Sequence, residues 1–241
     1  MKLFHYYIIG CLLLFSSSCS KDTQPPPVPV TNIMIYNGST AFINKGSQVF
    51  IDTAWLSSRG YNDMSGNGNG VLNISSYNWV DPGPHRIGFS DTSGKTEIAE
   101  MYATLKQNNW YTFYLADSLG FYTVLMSEEN MRDRPATKAR IRFVHLSPDS
   151  GPVDFLINQT PVPALVNMRY KTITPFTDID PMDNPAFRIK RTGGLPEAPA
   201  LVRKAFSIYP GRSYTFIFRG YNTAQEDNPN TTFNLSAIIN F

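Results

Sequence analysis

Cysteine is nearly missing from this chain of 241 residues, and the two that occur, Cys11 and Cys19, lie within the first twenty positions. The part that must fold therefore has no thiol, which removes disulfides, zinc–thiolate sites and cysteine nucleophiles together. Histidine is almost as scarce: after His5 only His85 and His145 remain. Charged residues make up 17% of the chain and nearly cancel, at +2, so no nucleic-acid partner and no purely electrostatic membrane binding are expected. No stretch keeps a helical period. Absent too are Gly-x-Ser-x-Gly, His-Glu-x-x-His and similar catalytic strings. No cofactor is expected. Aromatic residues (13%) and proline (18 residues) are plentiful instead, the composition of an all-β chain with many turns. The length suffices for two sandwich domains, each burying its own core.

The most informative stretch is Ala139–Asn158, A-R-I-R-F-V-H-L-S-P-D-S-G-P-V-D-F-L-I-N. Ile141, Phe143 and His145 alternate with Arg142 and Val144, the period of a strand with one buried face. Ser147–Pro152 supplies turn residues and stops the ladder. Val153–Asn158 then reads as the next strand. The run R-I-R-F-V-H-L-S-P-D followed by G-P-V-D resembles the opening motif of a widespread family of secreted bacterial domains of unknown function. In that motif the matching positions are His145, Ser147, Pro148, Asp149 and Asp154. The resemblance implies immunoglobulin-like β-sandwiches, often in tandem and often in lipoproteins, and it brings no reaction with it. A weaker copy, Asn32–Asp52, has Asn37-Gly38-Ser39 in place of the His-x-Ser-Pro-Asp core.

Residues 1–18 have a basic start (Lys2), an apolar run from Tyr6 to Phe15 and small serines before Cys19. This is a secretory signal segment, too short to remain as a spanning helix. Ser16-Ser17-Ser18-Cys19 resembles the relaxed lipobox of Bacteroidota lipoproteins, which implies lipidation, palmitate included, at Cys19. Cleavage at Cys11 would leave almost no apolar region before it. Removing residues 1–18 takes one lysine, so the side-chain charge falls to about +1. Acyl chains contribute roughly 0.8 kcal/mol per buried methylene, so several of them hold a protein on its bilayer. Ser20-Lys21-Asp22 resembles the signal that carries such lipoproteins to the outer face of the outer membrane. The expected location is therefore the cell surface, lipid-anchored. Residues 19–30, with Gln24-Pro25-Pro26-Pro27-Val28-Pro29, read as a polyproline II tether rising about 3.1 Å per residue.

Two tandem immunoglobulin-like β-sandwiches follow, residues 31–133 and 139–241, with 134–138 as linker. Pro84-His85-Arg86-Ile87-Gly88 answers Ala186-Phe187-Arg188-Ile189-Lys190, and Asn109–Tyr114 answers Arg212–Ile217, in the same order and one sandwich length apart. Tyr111 and Tyr214 open the penultimate strands, where sandwiches place a tyrosine that ties down a corner.

Chemistry is harder to find. His145 lies near Asp149 and Asp154, which permits a His–carboxylate site. The simpler expectation is a partly buried imidazole tying down the Ser147–Gly151 turn. Gly88–Thr96 has one residue too many before Gly94-Lys95-Thr96 for a phosphate loop. Asp178, Asp180 and Asp183 in one loop, and Asp63, Asn67 and Asn69 in another, offer oxygens for calcium without a known spacing. Trp79, Trp110, Tyr114 and Tyr221 are the candidate ligand-binding residues, since aromatic faces suit sugar rings and protein partners alike. Trp110 and Tyr114 point away from the Tyr111/Phe113 face, and Tyr221 sits in the long loop Gly220–Asn230. Trp55, Tyr61 and Trp79 sit at strand ends or in loops, and for these aromatics packing between the domains or against a neighbouring loop is the alternative. Asp52-Thr53-Ala54 and Asp117-Ser118-Leu119 resemble Bacteroidota O-glycosylation sites, at Thr53 and Ser118. The expectation is a non-catalytic envelope lipoprotein binding glycan or protein. A structural spacer is the alternative, and a hydrolase assembled only in three dimensions the third reading.

Overall fold

The computed structural model describes residues 30–42, 46–59, 71–72, 77–129, 135–195, 197–225 and 228–240. The signal segment, Cys19, the tether, Tyr61 and the Asp63–Asn69 loop lie outside the described residues. The chain is all-β, as its composition predicts. The first half contributes β1 (Thr31–Asn37), β2 (Ser47–Ile51), β3 (Ala54–Arg59), β4 (Val71–Leu72), β5 (Asn78–Val80), β6 (Gly83–Ser90), β7 (Glu97–Leu105), β8 (Trp110–Ser118) and β9 (Phe121–Glu129). The second contributes β10 (Ala139–Leu146), β11 (Val153–Ile157), β12 (Thr160–Pro161), β13 (Thr177–Ile179), β14 (Ala186–Arg191), β15 (Val202–Ala205), β16 (Ser213–Arg219) and β17 (Asn234–Ile239).

These strands form four sheets: I (β3-β2-β6-β7), II (β5-β1-β8-β9), III (β13-β10-β16-β17-β4) and IV (β12-β11-β14-β15). Apart from β4, sheets I and II repeat the order of IV and III strand for strand. In each half the first strand runs parallel to the penultimate one, Ile33 beside Tyr111 and Ile141 beside Tyr214. Both tyrosines do what their position implies. The Tyr111 hydroxyl accepts the Lys106 N–H at 3.1 Å, and the Tyr214 hydroxyl accepts the Tyr209 N–H at 3.0 Å. Each bond closes a corner five residues upstream.

Side-chain alternation then fixes the layers. Ile33, Ile35, Tyr111 and Phe113 of sheet II pack on Val49, Ile87 and Phe89 of sheet I. Ile141, Phe143, Tyr214 and Phe216 of sheet III pack on Val153, Phe155, Phe187 and Ile189 of sheet IV. The opposite faces of II and III meet each other through Met34, Tyr36, Tyr114, Val144, Leu146 and Ile217. The result is a four-layer stack, I–II–III–IV. Strands β1 and β10 are buried along their whole length. The strand with one buried face expected for β10 is thus buried on both, because the sister sandwich covers the second.

Burying that second face encloses polar groups, which must find partners inside. Arg142 reaches from sheet III and forms an ion pair with Glu129 of sheet II. Its guanidinium also donates to the Tyr114 hydroxyl at 3.1 Å and to Thr215 Oγ1 at 2.9 Å. Thr112 donates to Glu129 at 2.9 Å, and its repeat counterpart Thr215 donates to Asn240 at 2.7 Å. At one end of the joint, a Cβ on Gly38 would stand 2.6 Å from Leu146 Cδ1 and 2.9 Å from the Leu115 carbonyl oxygen, so only glycine lets the halves approach there.

Breaking a buried pair by removing one partner strands a charge. Arg142→Ala or Glu129→Ala should therefore lower stability by about 3–5 kcal/mol in urea denaturation. The double variant Arg142→Met/Glu129→Leu should recover most of that loss.

Candidate functional site

With sheets II and III consumed by packing, the solvent faces of I and IV and the loop ends remain open. On sheet I the outward positions hold Gln48, Phe50, Trp55, Arg86, Gly88, Glu100 and Tyr102, placed side by side by the register of β3, β2, β6 and β7. Trp55 is 61% exposed and Tyr102 72%. The Trp55 indole N–H donates to Gln48 at 2.8 Å, which sets the ring's attitude. Arg86 lies over Gly88, where a Cβ would sit 3.5 Å from its guanidinium. It is held down by Glu97, Glu100 and the Asp52 carbonyl.

Asp52 turns the chain between β2 and β3 with a left-handed backbone, φ 54°. Its carboxylate accepts the Arg86 N–H at 3.0 Å and contacts His85 Nδ1 at 2.9 Å. These bonds, the backbone one first, hold its carboxyl below the usual range. His85 Nε2 faces the Asp81 carbonyl at 2.8 Å. Both ring nitrogens are occupied, so the imidazole is a brace here rather than a proton shuttle. Two hollows flank Arg86: one of about 350 Å³ beside His85, Tyr102 and Thr104, the other of about 250 Å³ beside Phe50, Thr53, Lys95 and Glu97. An open face with two exposed rings and several hydrogen-bonding groups can bind a polar ring compound.

The candidate aromatics from the sequence do not converge. Trp79 is 79% exposed on the edge strand β5 and lines neither hollow. Trp110 is half-buried, with its ring edge-on to Tyr77 at 4.6 Å. Tyr114 is fully buried beside Arg142, which corrects its expected outward exposure: the outward face of β8 is the joint. Tyr221 is buried as well; its hydroxyl accepts the Leu119 N–H at 2.9 Å. That bond clasps the β8–β9 turn, where Leu119 and Gly120 both take positive φ, 53° and 90°. The long loop is thus partly spent on the sister sandwich, around a small cleft of about 130 Å³. Thr53 is exposed at its turn and Ser118 half-buried. Trp55 was legible as an aromatic at a strand end, whereas Phe50 and Tyr102 are the residues that sequence reasoning passed over. Their signal was the alternation of β7 from Ala99 to Leu105 and the cross-strand register, and the latter is invisible in a single strand.

His145 is fully buried among Phe143, Phe218 and Tyr170. Its Nδ1 accepts the Ser147 N–H at 3.2 Å and its Nε2 faces the Gly151 carbonyl at 3.3 Å. In the first half Asn37 holds the equivalent place: its Oδ1 accepts the Ser39 N–H at 2.8 Å and its Nδ2 donates to the Arg59 carbonyl. An asparagine and a histidine doing the same task identify it as turn capping. Neither carboxylate turns toward His145. Asp149 accepts the Asn222 N–H, and Asp154 accepts from the Asn167 N–H and Thr192. Among the described residues no three metal-ligating side chains cluster. Asp180 pairs with Lys138, while Asp183 accepts from Ser207.

Residues 67–156 match a family described as a domain of unknown function, DUF4397. The match starts ahead of β4, takes in β5 to β10 and ends in β11, so it crosses from one sandwich into the other. No curated protein matches the chain.

Burial pushes the His145 imidazole down from 6.5 to about 4. Between those values the unfolded chain binds a proton that the native one refuses, so stability is full above pH 6.5 and falls as the pH drops toward 4. The loss should reach about 3 kcal/mol. Urea midpoints measured from pH 7 to pH 5 should fall steadily, and His145→Gln should remove that slope.

Proposed function

We propose that this protein is a non-catalytic, lipid-anchored module of the cell envelope that binds glycan on the solvent face of sheet I. The observation that carries the reading is two exposed rings on one sheet face, Tyr102 lining one hollow with Arg86 and Thr104, and Trp55 opposite Phe50, which lines the other with Asp52 and Glu97. Sugar rings stack on aromatic faces through their C–H groups and hydrogen-bond to such side chains at the ring edge. The carboxylates on this face favour an uncharged sugar. Anchoring follows from the lipobox-like segment ending at Cys19, with display on the outer membrane as the accompanying expectation. A structural spacer is the second reading, and the extensively buried joint between the sandwiches is the observation in its favour.

Calorimetry of the full-length chain against neutral oligosaccharides tests the binding. Trp55→Ala and Tyr102→Ala should each weaken it about tenfold, or about 1.4 kcal/mol, while Trp79→Ala leaves it unchanged. Binding undiminished in both variants, or no neutral sugar bound, would sink the reading. For the anchor, palmitate labelling and membrane fractionation should both be lost in Cys19→Ala and kept in Cys11→Ala.

A further inference from the structure

The two halves carry opposite charge. Residues 31–133 hold six lysines and arginines against ten aspartates and glutamates, a net of −4, whereas residues 139–241 hold eleven against eight, a net of +3. Part of that excess is concentrated on the solvent face of sheet IV. Phe187 and Ile189 point into the core, so Arg188 between them points out. Arg203 stands directly opposite Arg188 across β14 and β15, and Lys190 follows two residues along the same face. Like charges directly opposite on a sheet destabilise it. No ion pair within the described residues relieves Arg188 or Arg203, and the buried Nε of Arg188 has no hydrogen-bond partner. The nearest carboxylate in register, Asp154, stands opposite Lys190 rather than Arg188, and its Oδ1 accepts from Asn167 and Thr192. Leu156, opposite Arg188 on its other side, is buried and gives the pair an apolar floor. Two arginines directly opposite in register, with no acid paired to either among the described residues, offer a site for an oxyanion.

We propose that the outer face of sheet IV binds an acidic polysaccharide, with Arg188 and Arg203 gripping one carboxylate between them. Planar guanidiniums match a planar carboxylate by paired hydrogen bonds, which a lysine pair would not do. The face is open and extended rather than a pocket, so a lone anion would gain little in water. A polymer that sets one carboxylate on the Arg188/Arg203 pair brings its neighbouring carboxylates over the same basic face, and each added contact becomes intramolecular. The outward residues Asp154, Leu156, Arg188, Lys190 and Arg203 include no aromatic ring on which nucleic-acid bases could stack. This site is separate from the sheet I face and lies on the opposite outer layer.

The test is binding of the full-length chain to polygalacturonate at low salt, beside free galacturonate, inorganic phosphate and single-stranded DNA. The polymer should bind, and affinity should fall steeply as salt rises. The Arg188→Gln/Arg203→Gln variant should bind at least tenfold more weakly, with a melting midpoint no lower than the native one because the repulsion is gone. Neutral-sugar binding should be untouched in that variant. The proposal is overturned if the native chain ignores the polymer, if the double variant binds it equally well, if either free anion binds as tightly as the polymer, or if DNA binds more tightly.

Discussion

Arg142 and its ring of partners carry the constraint on which the rest of the molecule depends. A sandwich normally leaves the outer face of each sheet to water, and polar side chains there need no internal partner. Here sheets II and III turn those faces on each other, and the guanidinium of Arg142 ends up enclosed with Glu129, Tyr114 and Thr215. An enclosed charge is tolerated only when paired and hydrogen-bonded, so this network fixes how the two sandwiches meet. Gly38 allows the close approach at one end, and Tyr221 clasps Leu119 there from the other half. The duplicated halves therefore differ most where they touch: Met34 stands where the second half has Arg142, and Asn240 where the first has Glu129.

The joint also decides which surfaces are left for function. Central strands buried on both faces have nothing to offer a ligand, and the aromatic residues Tyr36, Tyr114 and Tyr221 are spent on packing. What remains is one outward face per half. Sheet I is acidic and aromatic, with Arg86 pinned by two glutamates; sheet IV is basic and lacks outward rings. Divergence after duplication has given the two outer layers opposite chemistry on the same strand order. The buried histidine belongs to the scaffold, since Asn37 performs its task in the other half.

Local pattern was enough for much of the fold. Alternation and turn residues mark most strands, and Asp117-Ser118-Leu119-Gly120 reads as a hairpin turn, but Gln48–Trp55 reads as one strand where the structure has β2, a turn at Asp52 and β3. The positions of Tyr111 and Tyr214 marked the corners, because each corner bond closes only five residues upstream. The long-range consequences were not legible. Alternation says that Tyr114 and Arg142 share a face opposite the core, but the same pattern serves a wet face and a joint. Trp55, Phe50, Arg86 and Tyr102 come together only through the pairing of β3, β2, β6 and β7, whose register no single strand contains. Arg188 and Arg203, likewise, are unremarkable fifteen residues apart until a ladder sets them opposite each other. Most strands, their turns and the duplicated order can be read along the chain, since these rest on local dihedral preference and a two-residue period. Tertiary structure alone decided which faces were buried and which side chains became neighbours, because burial and cross-strand register depend on the partner surface.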